Sequence, residues 1–313
     1  MSDVVLGVDV GGTAIKVGAF NKEGVLLASD SFPTPAIVDD KAYTIVCDGL
    51  ELLVNTIDGD NRVVAIGLDV PGPVTSEGKL FITSNSSINL EGLKEALANR
   101  FSGVSIAVLN DANAATLGEM WQGGGKGYSN FVMITLGTGV GGGVVVDGRV
   151  LSGAHGCAGE VGHMTINPSE EAQCGCGRYG CLEQYASAKG IVRLYNQICE
   201  ENDYEGVTPK HISDSKTVFD AASAGDACAL EAIDVMCEYL GYAMSIVSIT
   251  INPQAYVFGG GVAAGFEDFK EPLRKYFDKY TFSGCLDTKF SVATLGNSAG
   301  MYGSALEAIR TLN

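Results

Sequence analysis

Positive charge is what this sequence has least of: 20 Lys and Arg stand against 37 Asp and Glu, a formal net charge of −17. Binding a nucleic-acid backbone needs clustered cations, so no nucleic acid is expected as a partner. A surplus of acid suits a soluble protein of the cell interior that handles small molecules. Long apolar runs are missing too. Those present are strand-sized and broken by Gly or charge, so no membrane span is expected. No basic, apolar leader precedes the first strand-like segment, which follows Met1-Ser2-Asp3 directly, and no secretory signal is expected. A Pro/Ser-rich linker is also absent. Yet 46% of the 313 residues are apolar and only 18% charged. The expected organisation is therefore two domains, because single cores stop growing near ~250–300 residues.

Cysteine, by contrast, is plentiful. Of nine cysteines, Cys47, Cys157, Cys199, Cys228, Cys237 and Cys285 are scattered without a framework, as reduced cytosolic thiols are. The other three fall in Cys174-Gly-Cys176-Gly-Arg-Tyr-Gly-Cys181, between Glu160-Val-Gly-His163 and Glu183. His163, Cys174, Cys176 and Cys181 make a full tetrahedral set for a structural zinc and leave no position for a catalytic water. Gly175, Gly177 and Gly180 let the backbone wrap tightly enough for the sulfurs to converge. The alternative is three inert buried cysteines and a satisfied histidine.

Two halves each open with strand, Gly-rich turn, strand. In the first, Val4–Asp9 and Ala14–Phe20 flank Gly11-Gly12-Thr13; in the second, Phe131–Leu136 and Gly143–Val146 flank Gly137-Thr138-Gly139-Val140-Gly141-Gly142. Apolar spacing predicts helices over 40–58, 112–121, 187–201, 216–250 and 298–312, and strands over 63–69, 105–109, 255–258 and 289–294. The duplication implies two similar α/β domains with a cleft between them. The expected domains are 1–117, with helix 298–313 packing back on it, and 118–297. Residues 123–127, Gly-Gly-Gly-Lys-Gly, are the expected flexible spot.

Glycines in such turns allow backbone N–H groups to face a phosphate, and Thr13 and Lys16 add a hydroxyl and a cation. Asp9, at the strand end, is placed to hold a hydrated Mg²⁺ through its waters. A tight hairpin with an ordinary buried Asp is the bland reading of that turn. Gly137, Thr138 and Gly139 offer the same chemistry in the second half. Gly259-Gly260-Gly261, between a strand and a helix, allow a flat ring or ribose close to the backbone, or form a turn with no ligand. Asp111, where a strand gives way to a helix, is either a cap or a general base held near a bound hydroxyl, with Asn110 beside it. If one His163 nitrogen binds zinc, the other can donate to a sugar oxygen. The carboxylates of Glu160 and Glu183 suit a polyol, though Glu183 could simply be a solvent-facing helix residue.

Taken together, Asp9–Thr13, Asn110–Ala115, Gly137–Gly142, Glu160–His163, the Cys174–Glu183 string and Gly259–Gly261 resemble, in order and over essentially the full length, the ROK family of repressors, open reading frames and sugar kinases. The bacterial glucokinases of that family are the most similar. The resemblance implies a duplicated ribonuclease H-like, actin-like ATPase fold and ATP with Mg²⁺. The activity it implies is phosphorylation of a hexose at its 6-hydroxyl. It implies Asp111 as the base, Asn110, Glu160, His163 and Glu183 as sugar contacts, and His163, Cys174, Cys176 and Cys181 as zinc ligands. A dimer or tetramer is implied as well. One stretch departs from the glucokinase pattern: Asn85-Ser-Ser-Ile-Asn89-Leu90-Glu-Gly carries no aromatic in the sugar-side loop. That leaves other hexoses (fructose, allose) and N-acetylated amino sugars such as N-acetylglucosamine and N-acetylmannosamine as alternatives to glucose. A sugar-responsive regulator on the same fold is the rival from another class.

Overall fold

A computed structural model describes residues 2–75, 77–80, 88–202 and 211–312. They divide into two compact units, Met1–Gly127 with Gly148–Ala158 and Leu295–Asn313, and Tyr128–Asp147 with Gly159–Thr294.

Unit 1 is built on the sheet order β3-β2-β1-β4-β5. β1 (Ser2–Val10), β2 (Ala14–Phe20) and β3 (Leu26–Pro33) form an antiparallel meander, and β4 (Asn61–Val70) and β5 (Ser105–Asn110) add parallel to β1. Val4, Leu6 and Val8 of β1 pack with Ile66 and Leu68 of β4 in one core, and Val5, on the opposite face, packs with Ala65 and Ala308. Both faces are thus covered, as expected of a parallel core strand. On one face lie α1 (Asp40–Asn55) and α2 (Leu90–Arg100). Asp39 caps α1 by accepting from the Ala42 N–H at 2.9 Å, and Val46, Cys47, Leu50 and Leu53 turn its apolar stripe into the core. Its weak apolar periodicity kept α2 out of the sequence expectation.

On the other face α9 (Ala299–Arg310) lies on β1 and β4 and crosses α3 (Asp111–Gln122), which meets β4 and β5. They approach at backbone distance. A Cβ at Gly67 would sit 1.8 Å from the Ser304 carbonyl oxygen, one at Gly7 2.0 Å from that of Met301, and one at Gly303 1.7 Å from that of Ala114. This packing keeps α3 whole within unit 1, so the chain leaves that unit after Gly127, ten residues beyond the boundary expected at 117. The two-residue β8 (Arg149–Val150) also belongs to unit 1, and Arg310 donates to the Gly148 carbonyl at 2.7 Å. The expected flexible spot is tied down. Glu119, fully buried, accepts from Gly124 N–H at 2.7 Å and from Leu295 N–H at 2.8 Å. The one tryptophan, Trp121, packs against Phe20, Tyr302 and the turn at Gly24.

Unit 2 repeats the plan with β7-β6-β9-β10: β6 (Phe131–Leu136) antiparallel to β7 (Val140–Val146) and parallel to β9 (Ala255–Gly259), which pairs with β10 (Lys289–Val292). Around it pack α4 (Glu183–Ala186), α5 (Ala188–Glu201), α6 (Ser215–Ser223), α7 (Ala227–Ile251) and α8 (Phe266–Tyr280). The single helix expected over 216–250 is two. Gly225 takes a left-handed φ of +89°, and Asp226 then caps α7 by accepting from Ala229 N–H at 3.0 Å. By length and composition α7 could cross a bilayer, contrary to the expectation that apolar runs stop at strand length, but 61% of its most apolar window is buried inside the protein. Met236, Cys237, Leu240 and Met244 make it the core helix of unit 2.

Two glycines separate packing from function. Gly67→Ala must push α9 off the sheet and should cost about 1–3 kcal/mol. Gly12→Ala adds a Cβ that meets nothing within 4 Å and should leave stability unchanged. Urea midpoints measure both; equal midpoints for Gly67→Ala and the parent would refute the close contact.

Candidate active site

β1 ends at Val10, just past Asp9, and β2 begins after Gly11-Gly12-Thr13, so the turn projects its backbone past the end of the sheet. Thr34 holds it from behind, its Oγ1 donating to the Gly11 carbonyl at 2.6 Å and its N–H to that of Thr13 at 3.1 Å. Gly12 and Thr13 are exposed. Lys16 pairs with Asp9, Nζ to Oδ2 3.0 Å, so the cation foreseen for phosphate is already neutralised in part by the acid beside it.

Asn110 and Asp111 divide the roles that the sequence left open. Asn110 is the N-cap of α3: its Oδ1 accepts from Asn113 N–H at 3.1 Å, while Nδ2 donates to the Gly72 carbonyl at 3.0 Å and to Asp111 Oδ1 at 2.8 Å. Asp111 is the first helical residue, its Oδ1 also accepting from Ala112 N–H at 2.8 Å. The residue remains exposed, yet its acidity is weakened. Desolvation of the carboxyl raises its pKa, the charge of Asp9 adds to this, and the Ala112 N–H opposes it. A fixed carboxylate with raised basicity is what a general base requires.

In unit 2, β6 ends at Leu136 and the Gly137–Gly139 turn follows, closed by Gly137 N–H to the Gly139 carbonyl at 2.9 Å. Gly260, at φ +85°, brings the Gly259–Gly261 turn against the end of β6; a Cβ there would lie 2.4 Å from the Leu136 carbonyl oxygen. The two glycine turns therefore share one edge of this sheet. Glu183, at the start of α4, reaches the first of them. Its Oε2 accepts from Val140 N–H at 3.0 Å and would be 2.3 Å from a Cβ at Gly139. Glu183 is thus a brace of the glycine turn and not a solvent-facing helix residue.

The imidazole of His163 and the thiols of Cys174, Cys176 and Cys181 put their ligand atoms within 4.8 Å of one another. Local backbone explains the convergence. Gly177 and Gly180 take φ of +85° and +71°, and a Cβ at Gly180 would lie 1.9 Å from the Asn167 carbonyl oxygen. Cys174 pairs through its N–H with the Arg178 carbonyl at 2.8 Å, and Arg178 donates to the His163 carbonyl. Cys176 and Cys181 sulfurs are 3.6 Å apart, close to the ~3.8 Å that tetrahedral Zn–S bonds impose. His163 Nδ1 is buried with no hydrogen-bond partner. An orphaned ring nitrogen facing three thiols is a donor set that a metal would satisfy. The Arg178 N–H lowers the Cys176 thiol to about 6, so this ligand is anionic at neutral pH, whereas burial pushes Cys181 up to about 12. Below this cluster Tyr185 donates to Glu170 at 2.5 Å, and Arg193 donates to the same carboxylate at 3.1 Å. Glu160, exposed, precedes the single turn that carries His163.

Asp69, Ser304 and Glu170 were not singled out from the sequence, since no motif surrounds them. Asn85–Ser87 lie outside the described residues.

Two units with one strand plan, each carrying a glycine turn after its first strand, define an actin-like ATPase fold of the sugar-kinase type. The chain belongs to the ROK family, whose model matches residues 5–310. It is 38% identical to a glucokinase of Halalkalibacterium halodurans, over 95% of this chain and 92% of that one. It is 31% identical to an N-acetyl-D-glucosamine kinase of Vibrio atlanticus, over 97% and 99%. The crystal structure of a ROK glucokinase from Streptomyces griseus with glucose and AMPPNP is 30% identical, with a TM-score of 0.73 over 98% of this chain and 99% of that one.

If Glu183 braces the glycine turn, Glu183→Ala should speed hydrogen exchange at the Val140 amide by at least about tenfold, the loss of one charge-assisted hydrogen bond. Unchanged protection at Val140 would remove that role.

Proposed function

We propose that this protein transfers the γ-phosphoryl group of ATP to the 6-hydroxyl of a hexose, glucose before others. The observation that carries this is Asp111, a carboxylate locked at a helix start by Asn110 and Ala112 with its basicity raised. The 6-oxygen bonds to the γ-phosphorus, the bond to the bridging oxygen breaks, ADP departs, and Asp111 takes the hydroxyl proton. Positioning and charge neutralisation supply most of the rate in such transfers. The Gly11–Thr13 turn with Lys16 and the Gly137–Gly139 turn present N–H groups to the phosphates, and the Gly259–Gly261 turn lies against the adenosine. Asp9 would hold Mg²⁺ at the first glycine turn, and the ion would supply charge neutralisation for the phosphates. Glu160 and His163 read the sugar hydroxyls. Asn110 joins them through the lone pair left on its Oδ1, and Glu183 through Oε1.

Zinc on His163, Cys174, Cys176 and Cys181 would supply a rigid anchor and no reactive water. With its Nδ1 so engaged, His163 can offer Nε2 to a sugar oxygen. The protein's place is the cytosol, where reduced thiols and nucleotide are both available. Self-association into a dimer is supported by Tyr242, Ile246 and Ile249, which form one exposed apolar stripe on α7. N-acetylglucosamine is the second substrate reading, since a relative of nearly equal coverage carries that name.

A coupled assay of ADP release across glucose, mannose, fructose, allose, N-acetylglucosamine and N-acetylmannosamine tests the activity; no nucleotide consumption with any of them would overturn it. Asp111→Asn should lower kcat by ~10²–10⁴ while sugar affinity by calorimetry holds. Its melting temperature should not fall. A carboxyl whose folded pKa is raised stabilises the fold at low pH, and that stability is lost as pH rises through the folded value, so the amide removes a liability at neutral pH. Retained turnover would reject Asp111 as the base.

Cys176→Ala should lose both bound zinc, by elemental analysis, and sugar affinity. Normal sugar binding in metal-free protein would contradict the anchoring role. In chelator-stripped protein Cys176 should alkylate first, with a midpoint near its pKa of about 6, while Cys181 stays inert.

A further inference from the structure

The Cys-rich loop is carried by two limbs, residues 167–173 ahead of Cys174 and residues 181–184 from Cys181 onward. Glu170, on the first limb, uses both carboxylate oxygens to tie that limb down. Its Oε1 accepts from Ala172 N–H at 3.0 Å, within the limb itself. Its Oε2 accepts from the Tyr185 hydroxyl at 2.5 Å and from Arg193 Nη2 at 3.1 Å, and so reaches α4 and α5. The direction of the Tyr185 bond is fixed: Asn167 Nδ2 donates to the same hydroxyl at 2.7 Å, which leaves the hydroxyl proton for Glu170. Tyr185, 3% exposed, is seated in turn on Tyr239 of α7, ring centroids 4.0 Å apart, and the Arg193 guanidinium lies 5.3 Å from its ring.

Gln184 closes the same join from the second limb. Its Nε2 donates to the Ala172 carbonyl at 2.6 Å, its Oε1 accepts from Cys181 N–H at 3.2 Å, and its carbonyl accepts from Arg193 Nη2 at 3.1 Å. Arg193 Nη2 therefore holds one oxygen from each limb. Ala172, two residues before Cys174, is held through both its N–H and its carbonyl, and Cys181 is held through its N–H. An apolar contact could close the two limbs, but charge-assisted hydrogen bonds also set their angle. The price of that is a carboxylate left with 12% exposure, which is tolerated because three donors fill its oxygens. Holding the limbs matters to a metal, since ligands gathered in advance lose less freedom when the ion binds.

We propose that Glu170 is a positioning residue of the metal centre: by locking the limb before Cys174 onto Tyr185 and Arg193 it keeps Cys174 and Cys181 in register for zinc, and so strengthens zinc binding without touching the ion. This rests on the reading above that His163, Cys174, Cys176 and Cys181 hold zinc. General fold support is the competing account, in which the join stabilises unit 2 whether or not the loop holds metal. The two accounts differ in what the loss of Glu170 does. Positioning lowers zinc affinity, whereas fold support lowers the melting temperature and leaves zinc affinity alone.

The test compares Glu170→Ala and Tyr185→Phe with the parent in the full chain, each stripped of metal and then titrated with Zn²⁺ against a chromophoric chelator. Glu170→Ala should weaken zinc binding by about tenfold, the lower end of what groups that orient metal ligands contribute. Tyr185→Phe keeps the ring on Tyr239 and removes only the hydroxyl; it should weaken zinc binding by about threefold, and it decides the matter where the alanine variant does not fold. Parental zinc affinity in folded Glu170→Ala would overturn the proposal, and a lowered melting temperature beside it would assign the join to fold support. A parent that binds no zinc would overturn the proposal together with the reading on which it rests. Because the titration needs neither ATP nor sugar, a failure of the kinase reading shows separately, in the ADP assay.

Discussion

Unit 1 depends on one contact, the C-terminal helix α9 lying on β1 and β4 at backbone distance. Gly7, Gly67 and Gly303 make it possible by having no side chain at the points of approach. The consequence is chemical as well as mechanical. A helix held off by even a methyl layer would leave water over the ends of β1 and β4. Held close, it places Ser304 on Asp69 and the bare backbone of Gly300 over Asp69 and Asp9. The same helix packs on α3, whose first residue is Asp111, so the cap that holds the candidate base and the floor beneath Asp9 share one support.

Unit 2 solves a similar problem with different chemistry. Its Gly137–Gly139 turn is tied to the start of α5, whose Ala188 N–H donates to the Gly137 carbonyl at 2.8 Å, and is braced by Glu183, which sits two residues after Cys181. Cys174 also approaches the other Glu183 oxygen, at 3.7 Å. Glu183 therefore links the Cys-rich loop to the glycine turn. A loop of Gly175, Gly177 and Gly180 would lose much conformational entropy on ordering. A metal on the fourfold donor set would offset that cost better than hydrogen bonds alone could.

Much of this was legible from residue order. The turn after β1, the Asn110-Asp111 pair and the Cys174–Cys181 string are local patterns, and each keeps its meaning when read alone. What escaped was decided at long range. α6 and α7 read as one helix because a single glycine, Gly225, carries little weight in an apolar stretch, whereas its left-handed φ ends the helix outright. Capping went to Asn110 and not Asp111 because the helix begins at Asp111, one residue before the start that its apolar pattern locates. The stretch 123–127 reads as loose by composition, but the buried Glu119 that pins it lies in the preceding helix. Asp69 had no role in its motif, since its partner Ser304 is 235 residues away.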